Sequence, residues 1–238
     1  RATLGVAVAL AAIACVLLWR LPPAAPRPAN HAATTWKTAY AEVFANPRAP
    51  WLMGCGFAEG LLFFSVFPFM AAVLGEAEPV SALSLPVRVG LVLGAFGVGG
   101  LLYAVMVKRV LSAFKPVQMV AIGAAVSACC YALAVQVPHW SGVALLMLTA
   151  GFAFYMVHNT LQFHATELAP RARASGVAMF ACAFFAGQGV GPMLFALAAK
   201  PVGFSASMLL VALGLLALGW CAVRRVMRSP AASTAGMG

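Results

Sequence analysis

Seven long apolar stretches mark the chain, at 2–19, 51–74, 89–107, 117–137, 140–163, 175–199 and 204–223. Each is close to the roughly 20 residues that an α-helix, rising about 1.5 Å per residue, needs to cross a hydrocarbon core. The strands of a membrane barrel are about ten residues long and alternate apolar with polar positions. These runs are continuous, so the pattern predicts seven spanning helices and an all-α integral membrane protein.

The polar connections are uneven, and the longest is 20–50. Pro22, Pro23, Pro26 and Pro28 keep its first part extended. Trp36, Tyr40, Val43 and Phe44 then recur at the spacing of one helical face. Thr34 or Thr35 is the expected N-cap of this short helix, and Asn46-Pro47 its stop. An aromatic amphipathic helix beside a bilayer lies in the interface. The expected organisation is one helix at 1–19, a linker at 20–50 carrying the amphipathic helix, a six-helix unit at 51–223 and a tail at 224–238.

Composition excludes the water-soluble classes. Apolar residues make up 63% of the chain, charged residues only 8%, and the mean hydropathy is +0.97. Average soluble domains carry about 25% charged residues. Soluble enzymes, nucleic-acid binders and disordered tails are therefore excluded. The formal charge of +10 comes from 15 Lys and Arg against five acids, all Glu. Its distribution matters more than its size. Residues 20–50, 108–116, 164–174 and 224–238 hold twelve of the basic residues, while Arg1, Arg88 and Lys200 alone fall on the opposite side. Lys and Arg accumulate in cytoplasmic loops. The linker and the C-terminus are thus expected in the cytoplasm, and the charge is no sign of a nucleic-acid partner. The strict alternation also supports the count of seven helices. The chain opens apolar at Ala2, with no charged segment before it and no cleavage site after Trp19, so it does not read as a signal peptide. It reads as a fragment whose first span has lost its upstream neighbours. The six cysteines lie inside apolar runs without a CxxC pair and are expected to be small buried hydrophobes.

Glu59 is the one acid well inside a span, about 12 Å beyond Trp51 at helical rise. An ionised carboxylate at a helix centre costs roughly 2.5–3.5 kcal/mol on insertion scales, so such residues face a cavity and bind protons or substrate. A carboxyl that changes protonation with the side of access suits proton coupling. The alternative is a neutral Glu hydrogen-bonded to a neighbouring helix. Phe63 and Phe67 share its helical face, with Pro68 an expected kink. Aromatics beside an acid suit a cavity for lipophilic cations, or ordinary packing. His158 and Gln162 stand at i, i+4 with Asn159 adjacent. Counted from Trp140 they lie about 27 Å along their helix, near the cytoplasmic mouth. They read as a gate or proton relay, or as an interhelical polar cluster. Gln188 falls just past mid-membrane, where it could bond a substrate or another helix.

Gly56/Gly60, Gly90/Gly94 and Gly187/Gly191 are GxxxG pairs that permit close helix approach. Arg109, Arg171 and Arg173 read as topology anchors. His164 and Glu167 form an interfacial polar pair, since two ligands alone do not make a metal site. No phosphate cradle, zinc-protease helix or nucleophile elbow occurs. Lys108, Lys115 and Lys200 all flank helices, so no lysine is placed to hold retinal. No enzyme activity, cofactor or metal is expected.

One helix, a long linker and six further helices resemble the back end of a major facilitator superfamily transporter, from its sixth helix to its twelfth. Local sequence agrees. Phe44 to Arg48 followed by Gly56-Phe57-Ala58-Glu59-Gly60 looks like the family's entry into helix seven. Gly97 to Tyr103, then Lys108-Arg109, is similar to its glycine-then-basic pattern in helix eight. His158 to Gln162, then Glu167-Leu168-Ala169-Pro170 and Arg173, resembles helix ten and the following loop of bacterial efflux members. Gly187-Gln188-Gly189-Val190-Gly191-Pro192 resembles the Gly-Pro motif of helix eleven. The family's usual acid between helices eight and nine is absent, and Ala174 stands where Gly is common.

The resemblance implies a secondary transporter of the inner (plasma) membrane. It would export a small molecule against protons by alternating access, partnered by the bilayer and by a missing N-terminal half of the same chain. It also implies that Arg109, Arg171 and Arg173 latch the cytoplasmic side. An uptake permease of the same fold and a self-contained seven-helix receptor or sensor are the alternatives.

Overall fold

The computed structural model of the chain describes residues 2–20, 35–77 and 81–227, and every regular element among them is helical. The chain forms two units, divided between Thr34 and Thr35. The first contributes α1 (Ala2–Arg20), apolar except for Thr3 and its closing arginine. Pro22, Pro23, Pro26 and Pro28 of the linker, Arg27, Thr34 and the tail beyond 227 lie outside the described residues.

The second unit opens with α2 (Trp36–Ala45). Its ends follow local chemistry. The Thr35 hydroxyl accepts the Thr38 N–H, and Asn46 closes the helix before Pro47. Ala39 and Val43 are buried against the bundle. The aromatic positions Trp36, Tyr40 and Phe44 point the other way and are exposed.

Then come α3 (Ala49–Phe64), a 3₁₀ turn at Phe67–Phe69 and α4 (Met70–Ala77). Pro68 lacks the N–H that the carbonyl of Phe64 would need, and the helix tightens there. Next are α5 (Leu85–Ala113), α6 (Pro116–Ala134), α7 (Trp140–Glu167) and α8 (Arg173–Cys221), which ends in a π turn at Ala222–Met227. At Gly203 α8 breaks with φ 82°, a conformation that glycine adopts without a Cβ penalty. Its two limbs correspond to the separate sixth and seventh apolar stretches. Five helices of this unit, with α8 counted as one, are long and apolar enough to cross a membrane.

α3 packs most extensively on α8, and α7 on α5 and α6. α5 and α7 run parallel, since Phe96 meets Gly151 and Gly100 meets Tyr155. One end of the bundle therefore gathers α2, the start of α3, the ends of α5 and α7, and the closing turn of α8. Asn46 donates to the Leu168 carbonyl across that end at 3.2 Å, and Arg225 lies over the Trp51 ring. Arg88 and Gly203 belong to the opposite end. Arg88 is not in a loop, because α5 starts earlier than its hydropathy indicates and takes the arginine into its first turn, where it is buried.

Two other expectations need correction. A Cβ added at Gly90 or Gly94 would meet nothing within 4 Å among the described residues, because both lie on the outer face of α5. The α5–α7 seam uses Gly99 and Gly100 on one side and Gly151 on the other. The cysteines are not uniformly buried either. Cys55 and Cys130 are, while Cys15, Cys129 and Cys182 are exposed.

Candidate functional site

The seam between α3 and α8 sets the geometry of the site. Built-in Cβ atoms at Gly60, Gly187 and Gly191 would collide with the carbonyls of Phe184, Phe57 and Leu61, and one at Gly56 would press on the Phe180 ring. Four glycines thus let the two backbones touch, which brings Phe180 and Phe184 of α8 up to the face of α3 that carries Glu59. The backbone of Gln188 lies one turn further, beside Gly60, with its side chain half-buried.

Glu59 is wholly buried. Its Oε2 is 3.3 Å from Nδ1 of His158, contributed by α7. Its Oε1 has no hydrogen-bond partner among the described residues. The His158 ring stacks on Phe154 at 5.2 Å and lies 4.9 Å from Phe184 and 5.7 Å from Phe180. Phe64 adds to this wall, 5.6 Å from Phe154 and 5.8 Å from Phe184, and Phe96 of α5 lies 5.6 Å from Phe154. Four helices thus enclose one acid and one imidazole in aromatic rings. If the pair holds one proton it is net neutral, whichever partner carries it. Losing that proton or gaining a second leaves net charge in a low-dielectric setting, which is costly unless water or another ion compensates.

His158 stands deeper than a count from Trp140 indicates. α7 is 28 residues long, about 42 Å at helical rise, and overshoots the hydrocarbon core. Nine residues separate His158 from the end of α7, as ten separate Glu59 from the start of α3, so the two meet at matching depth. Asn159 turns from this pair toward the Tyr103 hydroxyl of α5. Gln162 is half-buried one turn nearer the helix end. Arg109 is exposed at the end of α5, and Arg173 makes a 3.9 Å surface pair with Glu167.

Phe63 does not line an open wall. It is fully buried, edge-on to Tyr131 and Phe154, and the Tyr131 hydroxyl donates to its carbonyl beside the Pro68 break. Phe67 is partly exposed and packs on Phe64 and Phe96 at 4.9 and 5.0 Å. Phe154, Phe180 and Phe184, the closest rings to His158, were not singled out from sequence. Their spacing to named residues offered a signal, since Phe154 is four before His158, and Phe180 and Phe184 precede Gly187 and Gly191 on one α8 face.

His164 and Glu167 sit apart from this site. They help line a cavity of about 30 Å³ with Asn46, Arg48, Leu52, Leu168 and Val226, room for a single water.

A bundle of apolar helices long enough to cross a bilayer is the architecture of a multi-pass membrane protein. The profile of the Major Facilitator Superfamily matches residues 1–182, and the chain belongs to that family. It is a membrane transporter of the major facilitator type, with the lipid bilayer and a small-molecule substrate as its partners. No curated protein and no solved structure matches the chain.

Proposed function

We propose that this transporter is proton-coupled and exports its substrate, with Glu59 and His158 as the proton-binding pair. The observation that carries this reading is the 3.3 Å contact between a wholly buried carboxylate and an imidazole inside the spans. Two groups that share one proton can pass it on when access to them opens from the other side, and the surrounding rings keep the pair out of water. Export rests on the resemblance of the helix-ten segment and the following loop, His158 to Arg173, to bacterial efflux members.

The reading includes a second six-helix half packed against 51–223, because transport sites of this type lie at the interface between repeats. It also places the basic end of the bundle in the cytoplasm and the protein in the inner membrane. Arg109, Arg173 and Gln162 then close that side, while Gln188 and Phe67 face the substrate path.

Infrared difference spectroscopy of the reconstituted protein between about pH 5 and about pH 9 tests the coupling step. A carboxyl C=O band should titrate and should vanish in Glu59→Gln. A titrating band that survives the substitution overturns the assignment. Everted vesicles made acid inside decide direction, since export predicts that substrate accumulates within them.

A further inference from the structure

We propose that the basic end of the bundle carries a binding surface for anionic phospholipid headgroups, built from α2 and the closing turn of α8. Three tryptophan–cation pairs occur there. Lys37 Nζ lies 5.5 Å from the centroid of Trp36, the Arg225 guanidinium 4.6 Å from that of Trp51, and Arg224 5.2 Å from that of Trp220. The three cations and the three rings are exposed. A tryptophan prefers the depth where its body is apolar and its edge wet. A cation held over such a ring is therefore held at headgroup level, with its remaining N–H groups available to a phosphate.

α2 supplies the outer part of this surface. One face is fastened to the bundle by buried Ala39 and Val43, by the Asn46 amide on the Leu168 carbonyl, and by Glu42, which accepts the Arg171 N–H at 3.1 Å. The other face presents Trp36, Tyr40 and Phe44, which are 68%, 39% and 59% exposed. A helix held by its small residues, with its aromatics turned out beside the ends of membrane spans, seats those rings among lipid chains.

Charge selects the lipid. Lys37, Arg48, Arg171, Arg173, Arg224 and Arg225 share this end with Glu42 and Glu167; Glu42 accepts the Arg171 backbone N–H and Glu167 pairs with the Arg173 guanidinium. The excess positive charge favours a headgroup with net negative charge over a zwitterionic one, whose own cation opposes the field. A second copy of the chain would present the same positive field and be repelled.

The test uses the full chain in nanodiscs of phosphatidylcholine mixed with phosphatidylglycerol, with retained lipid read by native mass spectrometry. Phosphatidylglycerol should be enriched on the wild type. Each cation near a membrane surface contributes about fivefold in affinity, so the Lys37→Gln, Arg224→Gln, Arg225→Gln triple variant should lose on the order of a hundredfold. No enrichment on the wild type, or unchanged enrichment on the variant, overturns the proposal. If the variant is not recovered, raising salt from about 0.05 to about 0.5 M should release the lipid from wild type, and enrichment that persists overturns the proposal equally. Brominated phosphatidylglycerol locates the surface. It should quench a fluorescence component that Trp36→Phe removes, and the absence of that component would mean that something other than lipid covers α2.

Discussion

Oε2 of Glu59 and Nδ1 of His158 meet at 3.3 Å across the contact between α3 and α7. The two residues are 99 positions apart in the chain, and the acid is wholly buried. Each is the other's polar partner, so removing one strands the other. His158→Ala should destabilise the protein by about 1–3 kcal/mol, the cost of a buried polar group left without its bond. Glu59→Gln keeps the shape and a hydrogen bond and should cost less. A double-mutant cycle by thermal unfolding in detergent should give a coupling of about 0.5–3 kcal/mol. Simple additivity of the two substitutions would show that the contact has no energetic weight.

The same pair makes a prediction about pH. In Glu59→Gln one of two proton acceptors is gone, and the surviving imidazole stands beside a neutral amide. Transport by the variant should lose the pH dependence set by the pair, and substrate movement should no longer carry protons. The measurement is substrate flux against external pH in vesicles, with proton movement followed by a pH-sensitive dye. A variant whose flux and pH profile match the wild type removes Glu59 from coupling.

The glycines divide into two groups with opposite expected behaviour. A methyl at Gly60 or Gly187 would run into a backbone carbonyl of the facing helix, which cannot move aside as a side chain can. Gly60→Ala and Gly187→Ala should each cost about 1–3 kcal/mol or more through overpacking. Gly90→Ala and Gly94→Ala meet no neighbour among the described residues and sit inside a helix. There alanine should be neutral or gain about 0.5–1 kcal/mol. Denaturation midpoints of the four variants should split into these two groups, and equal effects at all four positions would refute the seam.

This contrast shows what sequence alone could and could not disclose. All six glycines occur as the same GxxxG pattern, and only the facing helix distinguishes a packed pair from an outward one. Elements governed by nearby residues were legible. The Thr35 cap, the stop at Asn46, the break at Pro68 and the apolar spans all rest on chemistry within a turn or two of the chain. Glu59 was legible as unusual because a charge in an apolar run is costly wherever it faces. Its partner was not, because depth counted along one helix carries no information on a neighbour's register, and α7 is longer than the core it crosses. Phe63 shows the same limit. It shares a helical face with Glu59, yet whether that face meets an open cavity or another helix depends on Tyr131 and Phe154, which come from α6 and α7.

Tyr131 closes a weak point in α3. Pro68 interrupts the helix, and the buried Tyr131 hydroxyl reaches from α6 to donate to the Phe63 carbonyl in the same turn. Tyr131→Phe keeps the ring and its edge contact with Phe63 while deleting the donor. The loss should be about 1–3 kcal/mol, since both groups lie out of reach of water. A change within about 0.5 kcal/mol, measured by thermal unfolding, would show that the carbonyl is satisfied without it.

Asn46 is a junction of three segments. Its Oδ1 accepts the Arg48 N–H at 3.0 Å at the entry to α3, its Nδ2 donates to the Leu168 carbonyl at 3.2 Å, and its backbone N–H caps α2 through the Val43 carbonyl. Asn46→Ala removes the first two contacts and leaves the third. The buried area of Ala39 and Val43 is small, so the side-chain bonds carry much of what fastens α2 to the bundle. Their loss at about 0.5–1.5 kcal/mol each should speed hydrogen exchange across Trp36–Ala45 roughly tenfold while α5 and α7 stay protected. Global unfolding should shift far less than this local opening, because few contacts cross from α2 to the spans. Exchange in α2 that matches wild type would mean that its apolar face alone holds it in place.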